Sequence, residues 1–256
     1  MAGCPLPATA QGSSEDLAKA AQNPLASLIS VPFQNSSNFN VGATERTLNV
    51  LNIQPVVPFS AGPDWNVITR TIVPIIQQPG LVQGQDSVSG IGDIQFNAFL
   101  SPKTSAGWIW GLGAVVQLPT HSDERLGNDR WGLGPTAVAL RLEKGNPWVY
   151  GALVNNSWSL GGADGGPKFN QLLLQPFINY NLPGGLYLTS SPVITANWKA
   201  AGSQQWTVPL GAGIGKIFRI GTQPVNAQIS AYSNVVRPDL TADWSLRVQL
   251  QLMFPK

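Results

Sequence analysis

The feature that most restricts this chain is a period of two. In the last stretch before the C-terminus Trp244, Leu246, Val248, Leu250, Leu252 and Phe254 share one parity, and Ser245, Arg247, Gln249 and Gln251 share the other. Successive side chains of an extended strand point to opposite faces, so one face here is apolar and the other wet. The preceding stretch repeats the pattern, with Val225, Ala227, Ile229 and Ala231 against Asn226, Gln228, Ser230 and Tyr232. A soluble sheet would bury the apolar face and clothe the rest of the molecule in charge. Charged residues make up only 11% of the 256 residues while apolar ones reach 43%, against roughly 25% charged in an ordinary soluble domain. The apolar face is therefore expected to meet lipid. Membrane helices need about 18 consecutive apolar residues, and no such run occurs. A closed barrel is the remaining way to satisfy a backbone inside lipid.

The expected fold is all-β, a transmembrane antiparallel up-and-down β-barrel of about twelve strands with a short N-terminal helical or plug-like segment. Ser14 to Gln22 reads as the helix, capped by Ser13 or Ser14 and stopped by Asn23-Pro24. Strands follow, the first over residues 27 to 37, the second over 46 to 60, the fourth over 89 to 102 and the ninth over 185 to 199. Links after even-numbered strands are short, at residues 61–63, 103–105, 144–146, 182–184 and 220–221. Links after the first, third, fifth and seventh strands are longer, as at 78–88 and 120–129. Bacterial barrels have short periplasmic turns and long outer loops, so both termini are placed in the periplasm of the bacterial outer membrane. Residues 1–10 read as the remnant of a signal peptide ending in Ala8-Thr9-Ala10, with a merely disordered leader as the alternative. Residues 11–26 then form a periplasmic segment with the helix, and 27–256 form the barrel. Pro55, Pro74, Pro135, Pro176, Pro192 and Pro209 fall inside strands, where proline cannot donate to a ladder. Isolated bulges are the simpler reading, and a kink or lateral gap is the other.

Tryptophan favours membrane-water interfaces, and all nine tryptophans fall near strand ends. Trp65, Trp108, Trp110 and Trp148 are assigned to the periplasmic rim. Trp131, Trp158, Trp198, Trp206 and Trp244 are assigned to the outer rim, and Phe254 completes the girdle. The opposite parity supplies the lumen candidates Arg70, Asp93, Gln95, Asn97, Gln117, Gln171, Gln175, Asn179, Asn226, Gln228, Tyr232, Arg247, Gln249 and Gln251. Amides outnumber charges among them, which suits neutral polar or weakly apolar solutes better than a charged filter. The competing expectation is a structural or adhesin-like barrel sealed by interior residues that bond one another, with Arg70 and Asp93 then as an internal ion pair, and a lipid-acting outer-membrane enzyme is the third reading.

Catalytic chemistry has little to build on. The one histidine, His121, lies in THSDERLGND beside Ser122 and Asp123. A hydrolytic triad is a matter of geometry, and consecutive loop residues rarely converge. A solvated outer loop touching lipopolysaccharide or water is the simpler reading. One histidine and one cysteine leave no set of transition-metal ligands. The stretches Gly111 to Val115 and Gly211 to Lys216 neither open a helix nor fit a phosphate-loop spacing. No cofactor, no enzymatic activity and, with a net charge of +2, no nucleic-acid partner is expected.

The chain resembles a family of bacterial outer-membrane proteins labelled transporters of the MetA-pathway of phenol degradation, often misnamed neuromedin U. The resemblance lies in NPLASLISVPFQNSSNF from Asn23, LNIQPVVPF from Leu51, DWNVITRTIVPII from Asp64, GIGDIQFNAFLSP from Gly90, WGLGPTAV from Trp131, NQLLLQPFINY from Asn170, QWTVPLGAGIGK from Gln205 and the closing DWSLRVQLQLMFPK. It implies passage of small molecules, aromatic ones included, without fixing the solute. Outer-membrane barrels often end in an alternating strand with a terminal aromatic, which implies that Phe254 is read by the barrel assembly machinery. Pro255 and Lys256 extend past that pattern.

Overall fold

Alternation closes into a wall. The computed structural model describes residues 14–104, 107–162 and 166–255, and the leader read over residues 1–10 lies outside them. Twelve staves run β1 (Ile29–Val41), β2 (Arg46–Ile53 with Val56–Ser60), β3 (Trp65–Gln78), β4 (Val88–Ile91 with Ile94–Pro102), β5 (Trp108–Leu118) and β6 (Arg130–Leu142). They continue as β7 (Trp148–Gly162), β8 (Asn170–Asn181), β9 (Leu186–Ser190 with Ile194–Asn197), β10 (Trp206–Ile220), β11 (Gln223–Val236) and β12 (Trp244–Phe254). Each pairs antiparallel with its chain neighbours, and β1 pairs with β12 from Ile29 opposite Phe254 to Phe39 opposite Trp244. Closure leaves no free edge along the wall, as a backbone in hydrocarbon requires. The expected twelve-stranded up-and-down barrel is therefore the observed fold.

The outward parity is apolar. Leu112 is 58% exposed, Leu210 59% and Leu188 50%, with Leu133, Ile178, Ile229, Val248 and Leu250 also bare. A monomeric soluble protein would not present such a band to water. Aromatic rings mark its two margins. At the short-turn end Trp65 meets Trp110 at 6.1 Å, Trp108 meets Tyr150 at 6.0 Å and Trp148 meets Tyr180 at 4.7 Å. At the other end Trp198 meets Trp206 at 5.3 Å, and Phe39 stacks on Trp244 at 4.1 Å. Trp131, Trp158 and Phe254 are also exposed on the outer surface, and Trp206 is half-buried.

Links alternate as expected with one exception. Segments 61–64, 103–107, 143–147, 182–185 and 221–222 form the short-turn end, and each holds a glycine at positive φ, a conformation that costs other residues strain. The opposite links are 79–87, 119–129, 163–169, 198–205 and 237–243, but the first spans only 42–45. The strand expected to stop at residue 37 runs on to Val41, and this shortens the loop.

The prolines overturn the reading of isolated bulges. Pro55 sits in the break between the halves of β2, and the break at Gly92-Asp93 divides β4. Pro74 of β3 lies between these two interruptions, because Asn52 pairs with Pro74 and Ile91 with Ile75. Across the barrel, Pro192 sits in the break of β9, abreast of Pro176 in β8 and of the register shift at Pro209 in β10. Two clusters of disrupted pairing thus stand on different sides of the wall. Backbone groups at the breaks find substitutes: Gln54 N donates to Pro32 O at 2.9 Å, Thr71 N to Pro55 O at 3.1 Å, Gly92 N to Pro74 O at 2.9 Å and Ser191 N to Tyr232 Oη at 3.1 Å. Such replacements are what a dry environment demands. Pro135 remains inside a continuous strand.

The helix α1 spans Ser14–Gln22, as its cap and stop signals predict. Leu17 and Ala18 of α1 and Leu28 beyond it are buried against Tyr187, Ile217 and Met253, which belong to the inward parity. Just beyond the helix Leu25 packs against Ile68, Phe99, Val138, Leu140, Val149 and Leu153. Lys19 Nζ donates to Glu143 O at 2.8 Å, and Gln22 exchanges side-chain hydrogen bonds with Asn181 at 2.9 and 3.1 Å. These partners lie at the short-turn end, so α1 sits inside the barrel as a plug.

Candidate functional site

Above the plug the lumen opens into a chamber of about 170 Å³. Its floor is Ala20, Ala21, Gln22, Asn23 and Pro24. Its wall combines Arg70, Gln175, Asn179, Asn226, Gln228, Arg247, Gln249 and Gln251 with Gln34, Gln54, Tyr187, Thr189 and Ser191 and with the apolar Leu28, Val56, Leu153 and Phe177. The amides order one another. Tyr187 Oη donates to Asn226 Oδ1 at 2.7 Å and reaches Gln228 Oε1 at 3.1 Å, and Asn226 Nδ2 donates to Gln251 Oε1 at 3.1 Å. Gly215 makes space for that tyrosine, because a Cβ there would fall 2.2 Å from Tyr187 Cζ.

The breaks in β2 and β9 are held from the inside by lumen side chains. Arg70 donates to Gln54 Oε1 beside Pro55. Beside Pro192, Gln175 Nε2 donates to Ser191 Oγ at 2.8 Å and Arg247 Nη1 to Ser191 O at 2.9 Å, while the Arg247 guanidinium lies 4.8 Å over the Tyr232 ring. Nearer the long-loop end Gln95 and Gln171 border a second cavity of about 400 Å³ with Asn155, Ser157 and Thr195. Asn97 is buried next to Gln95.

Asp93 and Gln117 belong to a different constellation. Asp93 sits at the break in β4 with its side chain 7% exposed. Its carboxylate accepts from Thr120 N at 3.2 Å, His121 N at 3.3 Å, Asn128 N at 2.6 Å, Gln117 Nε2 at 3.2 Å and the His121 ring through Nδ1 at 2.7 Å. His121 Nε2 lies 3.1 Å from Asp129. The Arg70–Asp93 ion pair considered under the sealed-barrel alternative does not form: Arg70 bonds to Gln54, and Asp93 ties the 119–129 loop to the wall. Nor does the triad form. Ser122 Oγ is engaged with the backbone of Ile91, and Asp123 with Arg125.

The hydrogen bond to Asp93 holds the His121 pKa above its ordinary 6.5; burial opposes it, and the charges of Asp93 and Asp129 assist. A raised folded-state pKa stabilises the loop fully below the unfolded value, and that contribution is lost as pH rises through the folded value. Limited proteolysis of reconstituted protein should therefore cut the 119–129 loop faster as pH is raised from below 6.5 into the alkaline range. His121→Asn should flatten that dependence, and an identical slope in the variant would sink the assignment.

Sequence reasoning missed Gln54, Tyr187 and Ser191. Tyr187 was signalled by its alternation with Leu186 and Leu188. Gln54 and Ser191 were hidden because β2 and β9 were read as unbroken strands.

The fold is that of bacterial outer-membrane β-barrels. A crystal structure of an outer membrane channel from Pseudomonas putida F1 superposes with a TM-score of 0.65 at 16% identity, covering 89% of this chain and 94% of that one. The β-domain of the Bordetella autotransporter BrkA follows at 0.50 and 14% identity, over 89% and 100% of the two chains. The translocator domain of the autotransporter NalP from Neisseria meningitidis also reaches 0.50, at 10% identity over 93% of each chain. No protein-family profile and no curated protein sequence matches the chain.

Proposed function

We propose that this chain is a channel of the bacterial outer membrane that passes small molecules, aromatic or neutral polar, and that it belongs to the transporter family its motifs resemble. The observation that carries this reading is a polar, amide-lined chamber inside a closed wall whose outer face is apolar. Amides that bond one another cost a sealed barrel little, so it is the open space left beside them that favours passage over a filled interior. The similarity to a channel of known structure supports the same reading. No catalytic role enters it. Proteoliposomes should admit uncharged solutes of arabinose size and exclude larger oligosaccharides, whereas a sealed structural barrel or adhesin would admit neither.

The long-loop end faces outward and contacts lipopolysaccharide, and the short-turn end with both termini faces the periplasm. Phe254, on the outer surface at the end of β12, serves the assembly machinery as well as the interface. Protease added to intact cells should cleave within 79–87 or 119–129. Preferential cleavage at 61–64 or 143–147 would invert the topology.

A further inference from the structure

Among the described residues neither arginine of the chamber has a counter-ion. Among the described residues the ion pairs engage His121, Arg125, Arg141 and Arg237, never Arg70 or Arg247, and no Asp or Glu lines the chamber. Arg70 donates to the neutral Gln54 amide. Arg247 donates Nη1 to a backbone carbonyl, while its Nε is buried without any partner. Buried charges in proteins are normally paired, and two cations bordering one chamber create a positive potential there.

We propose that the chamber is a binding site for a small organic monoanion, a carboxylate on an apolar body. Arg247, whose guanidinium borders the chamber, receives the carboxylate on its planar fork, which matches two carboxylate oxygens. Arg70 adds charge from the same chamber, and the body packs against Leu28, Val56, Leu153 and Phe177. The inference deepens the channel reading and rests on it for its biological sense. It assigns the preferred solute class within that reading: amides of the wall tolerate neutral molecules, and the arginines select acids among them.

Benzoate and its neutral counterpart benzamide separate the charge from the ring. In calorimetric titration of the whole protein in nanodiscs at neutral pH, corrected with empty discs, benzoate should bind at least about tenfold more tightly than benzamide, as a charge-assisted hydrogen bond implies. Arg247→Gln should bring the two together, Arg247→Lys should restore part of the difference, and Arg70→Gln should reduce it. Should the Arg247 variants fail to fold, the wild type still decides: benzoate affinity should fall with salt while that of benzamide does not. Equal affinities in the wild type, a salt-insensitive preference, or a preference that survives Arg247→Gln in folded protein would overturn the site. Flux of uncharged solutes is read separately. Flux without a benzoate preference removes this inference and leaves the channel, and a preference without flux does the reverse.

Discussion

Replacing Asp93 with alanine should free the 119–129 loop while leaving the barrel assembled. One carboxylate collects three backbone N–H groups, the Gln117 amide and the His121 ring. Breaking a buried charged network by removing one partner costs about 3–5 kcal/mol. That cost falls on a loop outside the β-ladders, so the loop opens before the wall does. The neighbourhood leaves no space for repair: a Cβ at Gly127 would lie 2.4 Å from Asp93 Oδ1 and 2.6 Å from His121. Protease should therefore cut the variant within 119–129 many times faster than the wild type, with heat-modifiable gel mobility retained. Equal protection of the loop in both proteins would show that Asp93 does not hold it.

Leu17→Asp should open the short-turn end. Leu17 is 8% exposed and packs with Ala18 against inward-facing side chains of the wall. Burying a leucine contributes about 1.5–3 kcal/mol, and an unpaired carboxylate in its place costs several more. Anchors left to the helix include the Gln22–Asn181 amide pair, at about 1 kcal/mol for each hydrogen bond, and the charged Lys19 on Glu143 O, at about 1.5–3 kcal/mol. The helix should leave its seat, and single-channel conductance should rise severalfold. An unchanged conductance would mean that α1 does not occlude the path.

Much of this architecture was legible because it repeats locally. The parity of Arg247, Gln249 and Gln251 against Val248 and Leu250 is visible in five residues, and the α1 boundaries follow from Ser14 and Asn23-Pro24. What escaped depends on register between distant strands. That Pro176, Pro192 and Pro209 stand abreast follows only once β8, β9 and β10 are aligned. Asp93 and His121 are 28 residues apart, and their contact exists because the 119–129 loop folds back over the break in β4. Parity placed Asp93 with Arg70 among the lumen candidates, but parity says nothing of height along the strand: Arg70 faces the chamber and Asp93 lies at the long-loop end.

Planar-bilayer recording of the purified, folded protein tests the central claim most directly. A small conductance in discrete steps is predicted for the wild type, with larger steps for Leu17→Asp. Silent bilayers from both proteins, each shown to be folded and inserted, would contradict the channel and leave a sealed barrel.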